Sequence, residues 1–451
     1  MLRRSIAAGA LALAAAFAGP APATAQQPVE IQFWHGLTQP NGGLLEQIAT
    51  DFNNSQNRYR VAPSFRGSYP ETMVSAIAAF RSGTAPHIVQ MFEVGTGTMI
   101  SAGRAIRPLH ELLAETGTQI DFNDVLAPVR GYYSLPDGRM MSMPFNSSTA
   151  IAWYNKDAFR RAGLNPDGFP ATWAGVEAAA RRLKESGHAC PMSTAWPTWL
   201  MVEQVSAIHD VPLATLGNGF GGLNTELAIN NPLIRRHLGN LVNWQREGLF
   251  RYGGRDTAGE ALFPSGECAI MFTSSAFRGR VVREARFDWG AAQLPYYDDV
   301  AGAPRNSIIG GASFWAMNAG PNRGRSADEL RGVAEFFRYI ARPEVAAKWH
   351  QDTGNLPISL RSYEGLKAAG YYRENPGADV AIEQLLRGGG QTTENTRGIR
   401  LGGFVEIRNI IQEEMERAFQ GGQTADQALV NAQTRGNAVL RNFERTNRAA
   451  Q

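Results

Sequence analysis

Strand-like and helix-like segments of similar length alternate along the first part of this chain, and no other feature restricts its fold as strongly. Residues 29–34 alternate apolar and polar side chains, as a half-buried strand does, and the apolar side chains within 44–52 recur at helical spacing. Residues 59–65 are extended in character, residues 73–80 form a second helical stripe, and residues 88–92 are typical of a buried strand. This alternation predicts an α/β layered domain with a largely parallel sheet.

A second unit of the same character is expected to begin near Asn146. A strand pattern at 150–154 precedes a short helix and then a longer helix for which Thr172 is the predicted N-cap. Further strands are expected at 190–194, 269–273 and 310–319, and further helices at 330–340, 404–419 and 425–443. With 451 residues the chain exceeds the roughly 250–300 residues at which a single core stops growing. At least two domains are therefore expected.

The first 25 residues have the layout of a secretory leader. Arg3 and Arg4 form a basic head, residues 6–18 form an apolar run, and the small residues 23–25 precede Gln26. A transmembrane anchor needs about 20 apolar residues, and this run is too short. We predict a signal peptide cleaved after Ala25, and hence an exported and soluble mature protein.

The charge balance and the cysteine count exclude several classes of protein. The 44 basic and 41 acidic residues give a formal charge of +3, which is not the basic excess of a nucleic-acid binder. Two cysteines are too few for a disulfide-dense scaffold or a cysteine-rich zinc module. After export, Cys190 and Cys268 either form a disulfide across a loop of about 80 residues or remain two buried thiols.

No segment of the sequence carries a recognisable catalytic or metal-binding motif. Residues 217–222 fit the dinucleotide pattern G-x-G-x-x-G, but Pro212 lies upstream and no helical face follows before Pro232. We interpret this run as a glycine-rich surface loop. The seven histidines lack metal-binding spacing, and neither a G-x-S-x-G elbow nor a Walker loop occurs. We expect no cofactor, no metal and no catalytic residue, although a catalytic triad can be spread through a chain.

Five short segments carry a family resemblance, and they are residues 78–89, 153–159, 170–173, 263–271 and 353–357. In this order they resemble the extracytoplasmic solute-binding proteins of ABC importers, the family that includes the maltose-binding protein. Each segment is weak on its own, but together they span nearly the whole mature chain. Six more segments resemble the members of that family that bind sn-glycerol-3-phosphate: 67–69, 92–96, 144–149, 308–313, 375–379 and 400–402.

The resemblance implies the two-lobe α/β fold of type II periplasmic binding proteins, with the ligand in the cleft between the lobes. By analogy, one lobe comprises residues 26–146 and 276–340 and the other residues 147–275 and 341–451. Three hinge crossings are expected, near 146–148, 274–276 and 340–343. The resemblance also implies a periplasmic, monomeric receptor that is not an enzyme. Its partners would be a small ligand and ABC permease subunits with a cytoplasmic ATPase, and not nucleic acid or the membrane interior.

The resemblance further assigns eight ligand-binding positions: Tyr69, Glu93, Ser148, Trp196, Ser274, Gly311, Asn355 and Arg408. In this assignment the planar guanidinium of Arg408 pairs two phosphate oxygens. The hydroxyl groups of Ser148 and Ser274 and the N–H of Gly311 donate to the others, and a glycine lets the ligand approach the main chain. Alternatively, Arg408 lies on an exposed helix face and the two serines cap hinge turns.

Glu93 would repel a phosphate, so we expect it at the opposite end of the cleft, where it accepts hydrogen bonds from the glycerol hydroxyls. Tyr69 and Trp196 would offer flat apolar faces with polar tips to the carbon chain. The alternatives are a structural salt bridge for Glu93, a place on the cleft rim for Tyr69 and a place in the core for Trp196.

Asn355 departs from the family pattern, which has a tyrosine between Gly354 and Leu356. The smaller amide would lose one phosphate donor or replace it with water, or the freed volume would admit a substituent on the phosphate. The choice between a phosphomonoester and a glycerophosphodiester therefore stays open. Two other functions also stay open: a receptor of the same fold for an unphosphorylated sugar or oligosaccharide, and an exported phosphodiesterase.

Overall fold

The computed structural model describes residues 27–448, which form a ten-stranded sheet surrounded by helices. The predicted signal peptide and its cleavage site lie outside the described residues. The strands are β1 (Val29–His35), β2 (Tyr59–Phe65), β3 (Ile88–Phe92), β4 (Ile106–Arg107), β5 (Met143–Asn155), β6 (Cys190–Thr194), β7 (Phe250–Tyr252), β8 (Cys268–Ser274), β9 (Trp289–Ala292) and β10 (Ile309–Met317).

The helices make up most of the rest of the described chain, and none of them is long and apolar enough to cross a membrane. They are α1 (Asn41–Asn54), α2 (Tyr69–Ser82), α3 (Thr96–Ser101), α4 (Leu109–Thr116), α5 (Ala127–Tyr133), α6 (Lys156–Arg161), α7 (Trp173–Glu185), α8 (Gln204–Ile208), α9 (Thr215–Asn218), α10 (Pro232–Arg246), α11 (Arg278–Glu284), α12 (Ala327–Ile340), α13 (Pro343–Thr353), α14 (Leu360–Ala368), α15 (Tyr371–Glu374), α16 (Val380–Leu385), α17 (Phe404–Phe419) and α18 (Ala425–Asn447).

The strand order is β2-β1-β3-β10-β5-β8-β6-β7, with β4 paired to β10 and β9 paired to β5. The pairs of β1 with β2 and β3 are parallel, as are the pairs of β6 with β7 and β8. The pairs made by β5 and β10 are all antiparallel. The prediction of a largely parallel sheet is therefore wrong for the centre, because β10 returns late in the chain between β3 and β5 and runs against both.

β5 links the two halves of the sheet. Its thirteen residues are all buried; the first half pairs with β10 and the second half with β8 and β9. Asn146, near which the second unit is predicted to begin, therefore lies within a continuous strand. The lobe boundaries and hinge crossings given above remain predictions.

Three local features of the sequence can be compared directly with the structure: the Thr172 cap, the glycine-rich run and the two cysteines. The Thr172 hydroxyl accepts a hydrogen bond from the Gly175 N–H over 3.1 Å at the start of α7, which confirms the predicted N-cap. Residues 217–222 begin at the end of the short helix α9, which follows α8 and no strand, so they lack the strand-turn-helix context of a dinucleotide site. Cys190 and Cys268 are register partners in β6 and β8 and form a disulfide, with their Cα atoms 4.5 Å apart.

Candidate ligand-binding site

A cleft of about 520 Å³ opens beside the paired strands β5 and β10, and all eight residues assigned by resemblance line it. They come from the start of α2, the turn after β3, β5, the loop after β6, the end of β8, β10, the turn after α13, and α17. In that order they are Tyr69, Glu93, Ser148, Trp196, Ser274, Gly311, Asn355 and Arg408. The fold thus brings together positions spread over most of the chain, and their roles toward a ligand remain predictions.

The backbones of β5 and β10 approach each other closely beside the cleft. Gly311 in β10 has a φ of +90°, and a Cβ at this position would collide with the carbonyl oxygen of Asn146. Only a glycine fits this left-handed and crowded position without strain. Ser148 lies in β5 opposite Gly310, and within residues 27–448 its hydroxyl has no hydrogen-bond partner. Ser148 therefore offers a hydroxyl group to the cleft, and Gly310 and Gly311 line the cleft beside it.

Tyr69 is oriented by a chain of hydrogen bonds from the first lobe predicted above. The Gly36 N–H donates to Gln90, Gln90 Nε2 donates to Asn146 Oδ1 over 2.8 Å, and Asn146 Nδ2 donates to Tyr69 Oη over 2.9 Å. The Tyr69 ring stacks on Phe92 with centroids 5.3 Å apart. Burial raises the pKa of Tyr69, so the phenol stays neutral and keeps its proton for an acceptor in the cleft.

Two backbone irregularities lie at or next to the cleft residues Trp196 and Trp199. Trp196 has a φ of +49°, which is unusual for a large side chain, and its N–H donates to the carbonyl of Asp256 over 2.7 Å. A π-helical turn, Trp199–Glu203, follows directly. Such turns are frequent at functional sites because they redirect side chains. Here Trp196 and Trp199 line the cleft, while Glu203 lies behind it.

Arg408 is buried between two carboxylates. Its Nε and Nη2 donate to the two oxygens of Glu203 over 2.6 and 2.7 Å, and Nη2 also donates to Glu93 over 2.8 Å. The side chains of Arg408, Glu93 and Glu203 are 12%, 9% and 2% exposed. The expectation that Glu93 lies at the opposite end of the cleft from Arg408 is wrong. An exposed place for Arg408 is excluded as well, because its guanidinium turns inward to these carboxylates.

This ion cluster has one carboxylate more than it has guanidinium groups. Burial acts to lower the pKa of Arg408, but the carboxylates of Glu203 and Glu93 outweigh it and raise that pKa. Burial raises the pKa of Glu93. The positive charge of Arg408 opposes this rise, and the negative charge of Glu203 adds to it. Within the described residues, Nη1 of Arg408 makes no hydrogen bond. The cluster thus presents a free N–H group and a carboxylate, and it is not a vacant site for a dianion.

Ser274 and Asn355 line the cleft but also serve their own turns. The Ser274 hydroxyl oxygen accepts from the Ala276 N–H over 3.1 Å, as in the capping alternative, and its proton stays free to donate. Asn355 Nδ2 donates to Thr353 Oγ1 over 2.9 Å, and the Asn355 carbonyl accepts from His350 Nδ1 over 2.6 Å. One of the two N–H groups of the Asn355 side-chain amide is therefore engaged within its turn, and the other has no hydrogen-bond partner among the described residues.

The structure adds cleft residues that sequence reasoning missed, above all the carboxylates Asp256 and Glu260. Burial raises the pKa of Asp256, and burial raises the pKa of Glu260 to about 7, although Thr273 Oγ1 donates to Glu260 over 3.0 Å. Nearby Arg280 is already paired with Glu284 over 2.8 Å. Both missed carboxylates lie between β7 and β8, Asp256 in a turn and Glu260 in the short 3-10 helix Ala258–Leu262, and these elements are too short for a periodic pattern to identify.

The chain has extensive sequence similarity to known proteins. Residues 47–376 match the family described as bacterial extracellular solute-binding protein. The chain is 43% identical over 417 residues to the sn-glycerol-3-phosphate-binding periplasmic protein UgpB of Rhizobium meliloti strain 1021, which covers 92% of this chain and 95% of that protein. It is 40% identical over 441 residues to the protein of the same name from Brucella suis biovar 1, which covers 98% and 99%.

Two solved structures share the fold. UgpB from Mycobacterium tuberculosis in complex with glycerophosphocholine aligns with a TM-score of 0.74 at 21% identity, covering 92% of this chain and 98% of that chain. The cyclic alpha-maltosyl-1,6-maltose binding protein from Arthrobacter globiformis aligns with a TM-score of 0.72 at 21% identity, covering 92% and 100%. These similarities confirm the predicted solute-binding-protein fold.

Proposed function

Because this chain belongs to the bacterial extracellular solute-binding protein family, we propose that it is the receptor of an ABC importer and binds sn-glycerol-3-phosphate. One observation carries the proposal: eight assigned positions from separate elements converge on a single cleft, where the ion pair of Glu93 and Arg408 and the hydroxyl groups of Ser148 and Ser274 offer different chemistry. The relatives named for sn-glycerol-3-phosphate match nearly the full length of the chain, which supports the same ligand class here.

The charge distribution orients the ligand. At one end, Glu93 can accept hydrogen bonds from the glycerol hydroxyls, while Arg408 Nη1 and the Tyr69 hydroxyl can donate to them. At the other end, Ser148 and Ser274 can donate to phosphate oxygens. We therefore place the phosphate away from Arg408, in contrast to the pairing expected from the sequence. The reason is that Arg408 is already neutralised by two carboxylates.

A glycerophosphodiester with a cationic substituent is the second candidate ligand. Asp256 and Glu260 line the cleft without an ion-pair partner among the described residues, and Trp196 on the same wall offers an aromatic face. Carboxylates beside an aromatic face suit a quaternary ammonium group. Glycerophosphocholine, the ligand of the Mycobacterium tuberculosis relative, has this chemistry. An unphosphorylated sugar is less well matched, because it leaves the serine donors without an anion.

We further propose a transport role for the protein in the periplasm. The chain is exported with its signal peptide cleaved after Ala25, acts in the periplasm as a monomer and closes its two lobes on the ligand. The closed form delivers the ligand to permease subunits driven by a cytoplasmic ATPase. No chemical step is part of this function, and the protein is not an enzyme.

Titration calorimetry of the mature protein tests the ligand class. We expect binding of sn-glycerol-3-phosphate and weaker or no binding of glycerol, inorganic phosphate and maltose. Ser148→Ala should weaken binding by about tenfold through the loss of a charge-assisted hydrogen bond. Ser82→Ala, which changes an exposed serine at the far end of α2, is the matched control and should bind normally.

Two results would contradict the proposal. Binding of maltose or another neutral sugar with no response to glycerol phosphate would favour the sugar receptor. Release of choline during incubation with glycerophosphocholine would instead show a phosphodiesterase. Glycerophosphocholine in the same calorimetric series decides between the monoester and the cationic diester.

A further inference from the structure

Glu203 makes the closest contact with Arg408, although no sequence motif pointed to it. Its two oxygens accept from Nε and Nη2 of Arg408 and occupy one whole edge of the guanidinium. The π-helical turn Trp199–Glu203 carries this side chain into the protein, where it is 2% exposed. Glu203 is not among the residues that line the cleft, so any effect on a ligand must pass through Arg408 and Glu93.

The position of Glu203 has a geometric consequence. Because Glu203 takes the Nε–Nη2 edge and Glu93 shares Nη2, the one nitrogen of Arg408 without a partner among the described residues is Nη1. Arg408 itself lines the cleft. Glu93 lines the cleft as well, so we infer that a ligand there meets the Nη1 group of Arg408 beside the carboxylate of Glu93. This pairing of a donor with an acceptor suits a hydroxyl group, which can donate and accept at once.

The position of Glu203 also has an electrostatic consequence. With Glu93 and Arg408 alone the cluster would be formally neutral, and Glu203 makes its formal charge −1. Since charges interact more strongly in a partly desolvated cleft than in water, this excess charge disfavours a second anion at the same end. A hydroxyl group there carries no such penalty.

We propose that Glu203 is a positioning residue that sets ligand selectivity. It holds Arg408 by the Nε–Nη2 edge, and its charge excludes ligands that carry an anionic group where glycerol phosphate carries its terminal hydroxyl group. This inference rests on the proposed function, since it takes the glycerol end of the ligand to lie against Glu93 and Arg408. It predicts that a Glu203 variant changes the ratio of the affinities for two ligands. A variant of a residue with a purely structural role would leave that ratio unchanged.

The test compares sn-glycerol-3-phosphate with 3-phosphoglycerate, which has a carboxylate in place of the terminal CH2OH group. Calorimetric affinities for both ligands are measured at one pH and ionic strength. We expect the wild-type protein to prefer glycerol phosphate strongly. In Glu203→Gln the cluster becomes formally neutral, and the preference should fall by about tenfold or more. Glu203→Asp keeps the charge, so it should keep most of the preference even if both affinities fall.

Glu414→Gln is the matched control. Glu414 lies on α17, as Arg408 does, and is 1% exposed; it pairs with Arg435 and with Arg417 and does not line the cleft. This variant should lose stability and keep the wild-type preference. If Glu203→Gln does not fold, Glu203→Met removes the same charge with an apolar side chain of similar length, and the same fall is expected.

The outcomes separate the two proposals. A wild-type protein that binds neither ligand contradicts the proposed function and this inference together. If the wild type binds glycerol phosphate but Glu203→Gln or Glu203→Met keeps the same preference, only the inference is overturned. An equal loss of preference in Glu203→Asp and Glu203→Gln overturns it as well, because the charge would then not be the cause.

Discussion

Asn146 Nδ2 donates a hydrogen bond to the hydroxyl oxygen of Tyr69 over 2.9 Å, so Tyr69 keeps its own proton for the cleft. The same asparagine accepts from Gln90, which fixes the direction of its amide. Asn146→Ala should therefore weaken ligand binding by about three- to tenfold, the range of one net hydrogen bond. Calorimetry measures the loss. Asn318→Ala removes an amide that donates to the Arg104 carbonyl instead, and an equal loss there would contradict a specific role for Asn146.

Arg408→Ala is expected to abolish binding of the phosphorylated ligand and to destabilise the protein. The substitution leaves Glu93 and Glu203 buried without their partner, and breaking a buried ion pair in this way costs about 3–5 kcal/mol. Urea denaturation measures the stability and calorimetry the affinity. Arg181→Ala, which removes a pair of arginine contacts on the surface, should change neither strongly. Unchanged affinity in Arg408→Ala would refute the assignment of Arg408 to the ligand site.

Glu260 should make the stability of the protein fall as the pH rises. Its pKa is raised from an ordinary 4.5 to about 7 by burial, so between these values the folded state holds a proton that the unfolded state releases. The free energy of unfolding therefore decreases from about pH 4.5 to about pH 7, by up to about 3 kcal/mol from this residue. Glu260→Gln should remove that decrease.

Urea melts of both proteins at pH 5 and pH 8 measure the effect. The difference between wild type and Glu260→Gln cancels the contributions of other groups. Equal pH dependence in the two proteins would show that Glu260 does not titrate in this range. A cationic ligand bound beside Glu260 should reduce the effect, because it lowers the pKa of that carboxyl.

The Cys190–Cys268 disulfide should stabilise the fold without contributing to binding. It joins residues 78 apart in sequence, for which the loop-entropy relation predicts roughly 4 kcal/mol. The double variant Cys190→Ala/Cys268→Ala should lose about this much in urea denaturation and still bind the ligand once folded. Free-thiol titration of the denatured, non-reduced wild type should find no thiol; two reactive thiols would contradict the bond.

Gly311→Ala should damage both stability and binding. The position combines a φ of +90° with a backbone contact that leaves no room for a Cβ. Gly138→Ala is the matched control, since Gly138 has a φ of +88° but open space around it. We expect the control to lose only about 1 kcal/mol from the left-handed conformation, and Gly311→Ala to lose clearly more, together with ligand affinity. Equal losses would show that the close approach is unimportant.

The sequence by itself determined which local elements form and which family the fold belongs to. Periodicity located most of the strands and most of the long helices but few of the short helices, and Thr172 identified the start of a helix, because these signals depend on near neighbours along the chain. The eight cleft positions came from the family resemblance, and not from periodicity or spacing. The order of the central strands could not be predicted from the sequence, because β10 comes from far along the chain and lies between β3 and β5.

Only the tertiary structure decided the electrostatics of the site. Glu93, Glu203 and Arg408 are 110 and 205 residues apart in turn, so no spacing or periodicity relates them. Their contact exists because the turn after β3, the π-helical turn Trp199–Glu203 and α17 meet in the folded chain. Coulomb energies depend on distances through space and on burial, and it is packing that sets both. The sequence gives the charged residues, but it does not predict which of them form ion pairs with one another.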